Sequence, residues 1–279
     1  MGSVAEDGCL MELIGLIAGN GGFPLTFARE ARRRGFRVAA VAHHDETDPA
    51  LEAEVDSVTW VRVGQLGKLI GALKAGGVER TVMAGGINKA RSLLSLRPDA
   101  RGAKALARAA VLGDDNILRA VADEIEQEGI SVIPSTIFLE SLLAPAGPIA
   151  GPAPSPEALE DVNRGFELLT VLGPHDVGQG VMLESGAVLA IEAVEGTDAM
   201  ICRGAAFAKG QAVVVKAAKA GQDMRFDVPA VGPQTLAAMS ESGAGTLAIE
   251  TGSSIILDRA AFDQQAAGLG IAVIGVTND

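Results

Sequence analysis

Aromatic side chains are nearly missing from this sequence. They make up 3% of its residues, with eight Phe, one Trp and no Tyr. Binding of single-stranded nucleic acid leans on stacked rings, so that class finds no footing here. Positive charge is also scarce: 23 Lys and Arg face 35 Asp and Glu, for a net charge of −12. A phosphate backbone would be repelled at long range, and no nucleic-acid partner is expected. Only two cysteines occur, Cys9 in the leader and Cys202 in an expected helix, which suggests neither a disulfide framework nor a zinc site. A reducing, cytoplasmic setting fits. No apolar run approaches the roughly 20 residues of a membrane span. The leader MGSVAEDGCL carries acid where a signal peptide carries base and precedes a second methionine, Met11, so it is set aside.

What is present is an ordinary globular balance, 48% hydrophobic and 21% charged, in 279 residues. That length suggests one or two domains. In the first half, short β-like runs alternate with helical patterns. ELIGLIAG (12–19), FRVAAVAH (36–43), VTWVRVG (58–64), RTVMAGG (80–86) and ISVIPS (130–135) read as strands. PLTFAREARRRG (24–35) and GQLGKLIGALKAGG (64–77) read as helices, the first opening on Pro and closing on Gly. Strands alternating with helices predict a parallel sheet, a Rossmann-like nucleotide-binding layer over 11–143. APAGPIAGPAPSP (144–156) reads as an extended tether between domains. Residues 157–279 then predict a C-terminal catalytic α/β domain with a mixed sheet. Its elements are a helix over 157–173, strands near 180–185, 187–194, 211–217, 245–250 and 253–258, a helix from about Arg259 to Leu269, and a last strand.

LIAGNGGFP (16–24) sets a glycine-rich turn between a strand and a helix. Glycines let backbone approach a ligand, and free N–H groups at a helix start favour an anion. Gly19, Asn20, Gly21, Gly22 and Phe23 are therefore candidate nucleotide-binding residues. The spacing is neither G-x-G-x-x-G nor a P-loop, and a ligand-free βα turn stays open. Gly85 and Gly86 follow the 80–84 run and would share the carboxyl edge of the sheet, where such folds bind ligands.

Between Asn88 and Arg108 lie Lys89, Arg91, Arg97, Arg101, Lys104 and Arg108, opposed by Asp99. This local reversal of charge suits an anionic membrane surface, or simply a solvated helix face. The GDDN run (113–116) suits a helix cap. In IEAVEGTDAM (191–200), Glu192 and Glu195 close a strand and Thr197-Asp198 opens a helix. Carboxylates converging from a turn suit Mg²⁺, while Thr197 could donate to a phosphate; an N-cap is the plain alternative.

QDMRFDVP (222–229) alternates Asp223, Arg225 and Asp227 with Met224, Phe226 and Val228. Read as a strand, it has one apolar face and one Asp-Arg-Asp face. A cation between carboxylates suits a site where phosphate and metal share charge, and a salt-bridged strand is the alternative. The expected metal ligands are Asp223, Asp227, Glu195 and Asp198. Asp227, Asp223, Arg225 and Thr197 are the expected catalytic set. No Ser-His-Asp order, H-E-x-x-H or C-x-x-C occurs, so hydrolysis would be metal-assisted.

IGLIAGNGGFP, GQLGKLI, GDDNIL, DVGQGV, AIEAVEGTDAM, QDMRFDVPAVGPQT and AIETGSSIILD occur in this order. Together, from Leu13 to about Val276, they resemble the LpxI-type UDP-2,3-diacylglucosamine pyrophosphatases. The resemblance implies a Mg²⁺-dependent hydrolase of lipid A biosynthesis in Gram-negative bacteria, cytoplasmic and peripheral to the inner membrane. It would release UMP and 2,3-diacylglucosamine 1-phosphate (lipid X) from a lipid-bearing UDP-sugar held between its two domains. Gln179, in DVGQGV, joins the expected substrate-binding residues. The basic 88–108 stretch is the candidate membrane-facing rim, and a homo-oligomer is compatible. A nucleotide-cofactor oxidoreductase would need the fuller glycine fingerprint, and a nucleotide-sugar sensor would need no Asp-Arg-Asp face.

Overall fold

The computed structural model describes residues 11–87, 98–109, 115–175, 177–219, 223, 225–226 and 228–277. Asp227, the 88–97 part of the basic stretch and the side chains of the GDDN run lie outside these. The chain divides into two compact units, 1–138 and 139–279.

In the first unit, β1 (Leu13–Ala18), β2 (Arg37–His43), β3 (Ser57–Val61), β4 (Arg80–Ala84) and β5 (Ser131–Val132) form a parallel sheet of order β3-β2-β1-β4-β5. Helices α1 (Phe23–Arg33) and α2 (Leu66–Ala75) follow β1 and β3; α3 (Ala100–Ala109) and α4 (Asp115–Glu126) come before β5. The central strands β1, β2 and β4 are nearly continuous apolar runs because a parallel sheet is covered on both faces. The chain builds outward from β1 through β2 to β3, then returns to the other side of β1 with β4. This reversal makes the carboxyl ends of β1 and β4 the switch point of the sheet, where such folds open a crevice.

The second unit holds a six-stranded mixed sheet of order β6-β13-β11-β9-β7-β8, formed by β6 (Gly147–Ala150), β7 (Gly180–Glu184), β8 (Ala187–Ile191), β9 (Ala212–Lys216), β11 (Ala244–Glu250) and β13 (Ala272–Val276). β9, β11 and β13 are parallel, whereas β6 and β7 run antiparallel to their neighbours. β10 (Ala230–Val231) and β12 (Ile255–Ile256) make a separate parallel pair. Alternate residues of β9 split the core by the two-residue period of a strand. Val214 joins Leu247, Val273, Ile201, Leu236 and Phe262, on the side of α6 (Thr197–Gly204), α7 (Pro233–Glu241) and α8 (Arg259–Leu269). Val213 and Val215 face Val162, Phe166 and Leu169 of α5 (Pro156–Leu172). Each such side chain contributes about 1.5–3 kcal/mol on full burial, so this three-layer packing fixes the edges that carry polar groups.

Two stretches differ from the sequence reading. The 144–156 segment is not a bare tether: 147–150 form the edge strand β6 against β13. An edge needs hydrogen bonds on one side only, which admits Pro148. The described residues of the 222–229 run, Asp223, Arg225, Phe226, Val228 and Pro229, are not in a strand. Phe226 N donates to Asp223 O at 3.0 Å, and Arg225 N donates to Asp223 Oδ1 at 3.1 Å, so a turn replaces the extended backbone. An Asp side chain that satisfies the backbone two residues on competes directly with a sheet ladder.

Candidate functional site

At the switch point of the first unit, the glycine loops interlock. Gly19 N donates to Ala84 O (2.8 Å) and Asn20 N to Gly86 O (2.7 Å). A Cβ on Gly19 would lie 2.2 Å from Gly86 O, and one on Gly85 would lie 2.4 Å from Asn20 O. Gly85 also takes φ +85°, which disfavours any side chain. Asn20 Nδ2 donates to Glu46 Oε2 at 2.8 Å. Gly22 precedes α1 without a capping side chain, and the first turn carries no acid. Open space surrounds Gly21 and Gly22, and Phe23 turns inward to the core. The result is a positive helix end beside a glycine-lined backbone, suited to an anion. Behind it, Ala18 O accepts from Thr47 Oγ1 at 2.7 Å and lies 2.8 Å from His43 Nδ1. Burial pushes His43 below the ordinary histidine range.

The second unit gathers chemistry at one sheet edge. The carboxyl ends of β8, β9 and β11 and the start of β7 lie together, because Lys216 is in register with both Gly180 and Ile249. Glu192 N donates to Gly180 O (2.8 Å), which holds the residue after β8 against the start of β7. A Cβ on Gly178 would lie 2.1 Å from Glu192 O, so glycine is required for the 177–180 loop to pack there. That loop carries Gln179, whose carbonyl accepts from Ala217 N.

Sequence reasoning passed over Lys216. It ends the buried AVVVK strand and is itself buried. Its Nζ donates to Thr197 Oγ1 at 2.6 Å and Ala230 O at 3.1 Å. Thr197 is the first residue of α6 and also buried; its hydroxyl donates to Glu192 Oε2 at 3.0 Å. That hydroxyl proton is thus committed inside the protein, where the sequence suggested donation to a phosphate. The visible signal was one lysine closing an otherwise apolar strand.

The described residues between β9 and β10 start from the same edge at Ala217. Asp223 and Arg225 meet through several contacts, with Nη2–Oδ2 at 2.8 Å and Nε–Oδ1 at 3.0 Å. The guanidinium lies 4.7 Å from the Phe226 ring centroid, a cation–π contact on a buried ring. Glu195 is exposed and pairs with Arg203 (2.5 Å), and that hydrogen bond holds its carboxyl below the usual range. Asp198 is exposed in the first turn of α6. Among the described residues no group of three or more Asp, Glu, His or Cys is drawn together for a metal. Asp227, expected to be central to such a group, lies outside them.

The described part of the basic stretch is engaged internally. Arg101 pairs with Glu128, while Lys104 and Arg108 reach Glu124 at 2.8 and 3.5 Å. Asp99 accepts from Gly67 N and Gly102 N, joining the starts of α2 and α3.

A five-stranded parallel sheet followed by a six-stranded mixed sheet with a charged carboxyl edge defines a two-unit α/β protein. Residues 13–142 match the LpxI N-terminal domain and residues 145–274 the LpxI C-terminal domain; the chain belongs to the LpxI family. It is similar to the UDP-2,3-diacylglucosamine pyrophosphatase LpxI of Caulobacter vibrioides, with 34% identity over 95% of this chain and 98% of that protein. Likeness to solved structures is remote. The biotin carboxylase domain of Hydrogenobacter thermophilus 2-oxoglutarate carboxylase aligns at TM-score 0.28 and 13% identity, over 62% of this chain and 35% of that one. Kluyveromyces lactis urea carboxylase aligns at TM-score 0.28 and 15% identity, over 61% and 12%.

Proposed function

We propose that this protein hydrolyses the pyrophosphate of UDP-2,3-diacylglucosamine, giving UMP and 2,3-diacylglucosamine 1-phosphate. The observation that carries the reading is the nearly end-to-end similarity to a relative of that activity, through both domains in order. Within the second unit, Asp223 and Arg225, with the guanidinium over Phe226, suit the charge of a pyrophosphate.

In the reaction, a water oxygen forms a bond to one phosphorus as the bridging oxygen leaves with the other phosphate. Arg225 stabilises the growing charge on the phosphoryl oxygens, and Asp223 fixes the plane of its guanidinium. Hard carboxylate oxygens in this loop suit Mg²⁺, which takes one or two carboxylates and completes its shell with phosphates and water. Asp227, Asp223 and Asp198 would be the residues to hold it, whereas Glu195 pairs with Arg203. Mg²⁺ bound there would neutralise phosphate charge and lower the pKa of water.

The substrate's acyl chains bring the enzyme to a bilayer surface; in the basic stretch expected as its rim, the described cations Arg101, Lys104 and Arg108 are paired within the protein. The test is UMP release from UDP-2,3-diacylglucosamine, with Mg²⁺ and with the metal chelated, for the parent and Asp227→Ala. Release that needs both, with a mutant folded by circular dichroism but slower by about 100-fold or more, supports the mechanism. Full release after chelation removes Mg²⁺ from it, and no release by the folded parent removes the reaction.

A further inference from the structure

Lys216 is 8% exposed, yet among the described residues no carboxylate contacts its ammonium. Its partners are neutral: the hydroxyl of Thr197 and the carbonyl of Ala230. The negative charge of Glu192 is one step further off, behind Thr197 Oγ1. A buried cation is costly unless an opposite charge meets it directly, so proteins seldom leave one in this state without use. An ammonium has three N–H donors, and two are spent here.

Position supplies the second observation. Lys216 is the last residue of β9, and the loop bearing Asp223 and Arg225 starts at the next residue. That loop returns at Ala230, whose carbonyl Lys216 holds, so the ammonium sits at the root of the loop on both sides. Thr197 cannot give its hydroxyl proton to a ligand while Glu192 takes it. Lys216 is left as the donor of this cluster.

We propose that Lys216 is a further catalytic residue, contacting a phosphoryl oxygen of the bound pyrophosphate through its third N–H and neutralising charge there. This rests on the hydrolase reading above. The arriving anion would supply the counter-charge that no described residue brings to this lysine.

The experiment separates charge from anchoring. Lys216→Gln keeps an N–H₂ head, one bond shorter, for Thr197 and Ala230 but loses the charge; Lys216→Met loses both. UMP release from UDP-2,3-diacylglucosamine is measured for each beside the parent, together with thermal protection by inorganic pyrophosphate in the presence of Mg²⁺. Expected are a kcat/KM about 100-fold lower in both variants, in line with loss of one oxyanion donor, and loss of protection by pyrophosphate. A Lys216→Gln enzyme within about threefold of the parent overturns the proposal, because hydrogen bonds alone then suffice. Should Lys216→Met fail to fold, Lys216→Gln decides by the same criterion. A parent that releases no UMP refutes the hydrolase reading instead. Protection by pyrophosphate then decides for Lys216: undiminished protection in Lys216→Gln overturns its role, and its loss upholds anion contact.

Discussion

Replacing Gly19 by alanine tests the interlocked loops at the switch point of the first sheet. The new Cβ would lie 2.2 Å from Gly86 O and 2.8 Å from both the carbon and the oxygen of the Gly85 carbonyl. Ordinary carbon–oxygen contact lies about 1 Å further out, and every atom in the way is backbone, so no side chain can swing aside. Relief requires the loops to part, breaking the Asn20 N–Gly86 O bond and straining Gly19 N–Ala84 O. One backbone hydrogen bond broken and one strained, about 1–2 kcal/mol together, with about 1–2 kcal/mol of overpacking, set the expected loss at about 2–4 kcal/mol. Gly21 is the control. Its φ is +79° with nothing within 4 Å, so alanine there costs only the left-handed penalty of about 1–2 kcal/mol. The sole tryptophan, Trp60, lies in β3 of the same unit and stacks on His44 at 5.5 Å. Its fluorescence in urea therefore reads the unfolding of this unit within the intact chain, and midpoint shifts convert through the m-value. UMP affinity should fall with stability in Gly19→Ala, because parting the loops moves the start of α1. A Gly19→Ala protein within about 0.5 kcal/mol of the parent, or milder than Gly21→Ala, would refute the close-approach reasoning.

Glu128 gives a pH prediction. Hydrogen bonds from Lys74 and then Arg101 lower its carboxyl from 4.5 to about 2, and a depressed acid contributes stability above its unfolded value that fades as pH falls through its folded one. Glu128→Gln should therefore melt below the parent at pH 7, with the gap closing between pH 4.5 and about 2; an equal gap at both ends would rule out this ion-pair account. For the described basic residues, the double variant Arg101→Gln, Lys104→Gln should bind anionic vesicles as tightly as the parent in a flotation assay. Lost binding would return those cations to the bilayer surface.

Most of the strands were legible because buried strands write themselves as short apolar runs, and LIGLIA, RVAAVAH and AVVVK have no other economical reading. The glycine loops were legible for a related reason, since glycine after a strand and before a helix reports backbone crowding. What failed was non-local or chemically degenerate. β6 was hidden because its partner β13 lies more than a hundred residues away, and proline-rich sequence does not announce an edge strand. The described part of QDMRFDVP departs from the strand reading because a polar–apolar alternation is equally the sequence of a turn in which Asp223 binds the backbone of Arg225. No period-two pattern distinguishes the two until that hydrogen bond is known.

The same limit explains why Lys216 escaped notice while the acids around it drew attention. Glu192 and Thr197 are five residues apart and suggest a strand end and a helix start by themselves. Lys216 reaches them only because β7 runs antiparallel to both β8 and β9, which brings one residue from each strand to a common edge. In a chain of net charge −12, an anionic substrate meets overall repulsion and must be held by cations placed at short range. Burial of Lys216 provides that placement, since a cation removed from water acts strongly on a charge in contact with it. An acidic surface and an anion-holding edge are therefore compatible in one fold.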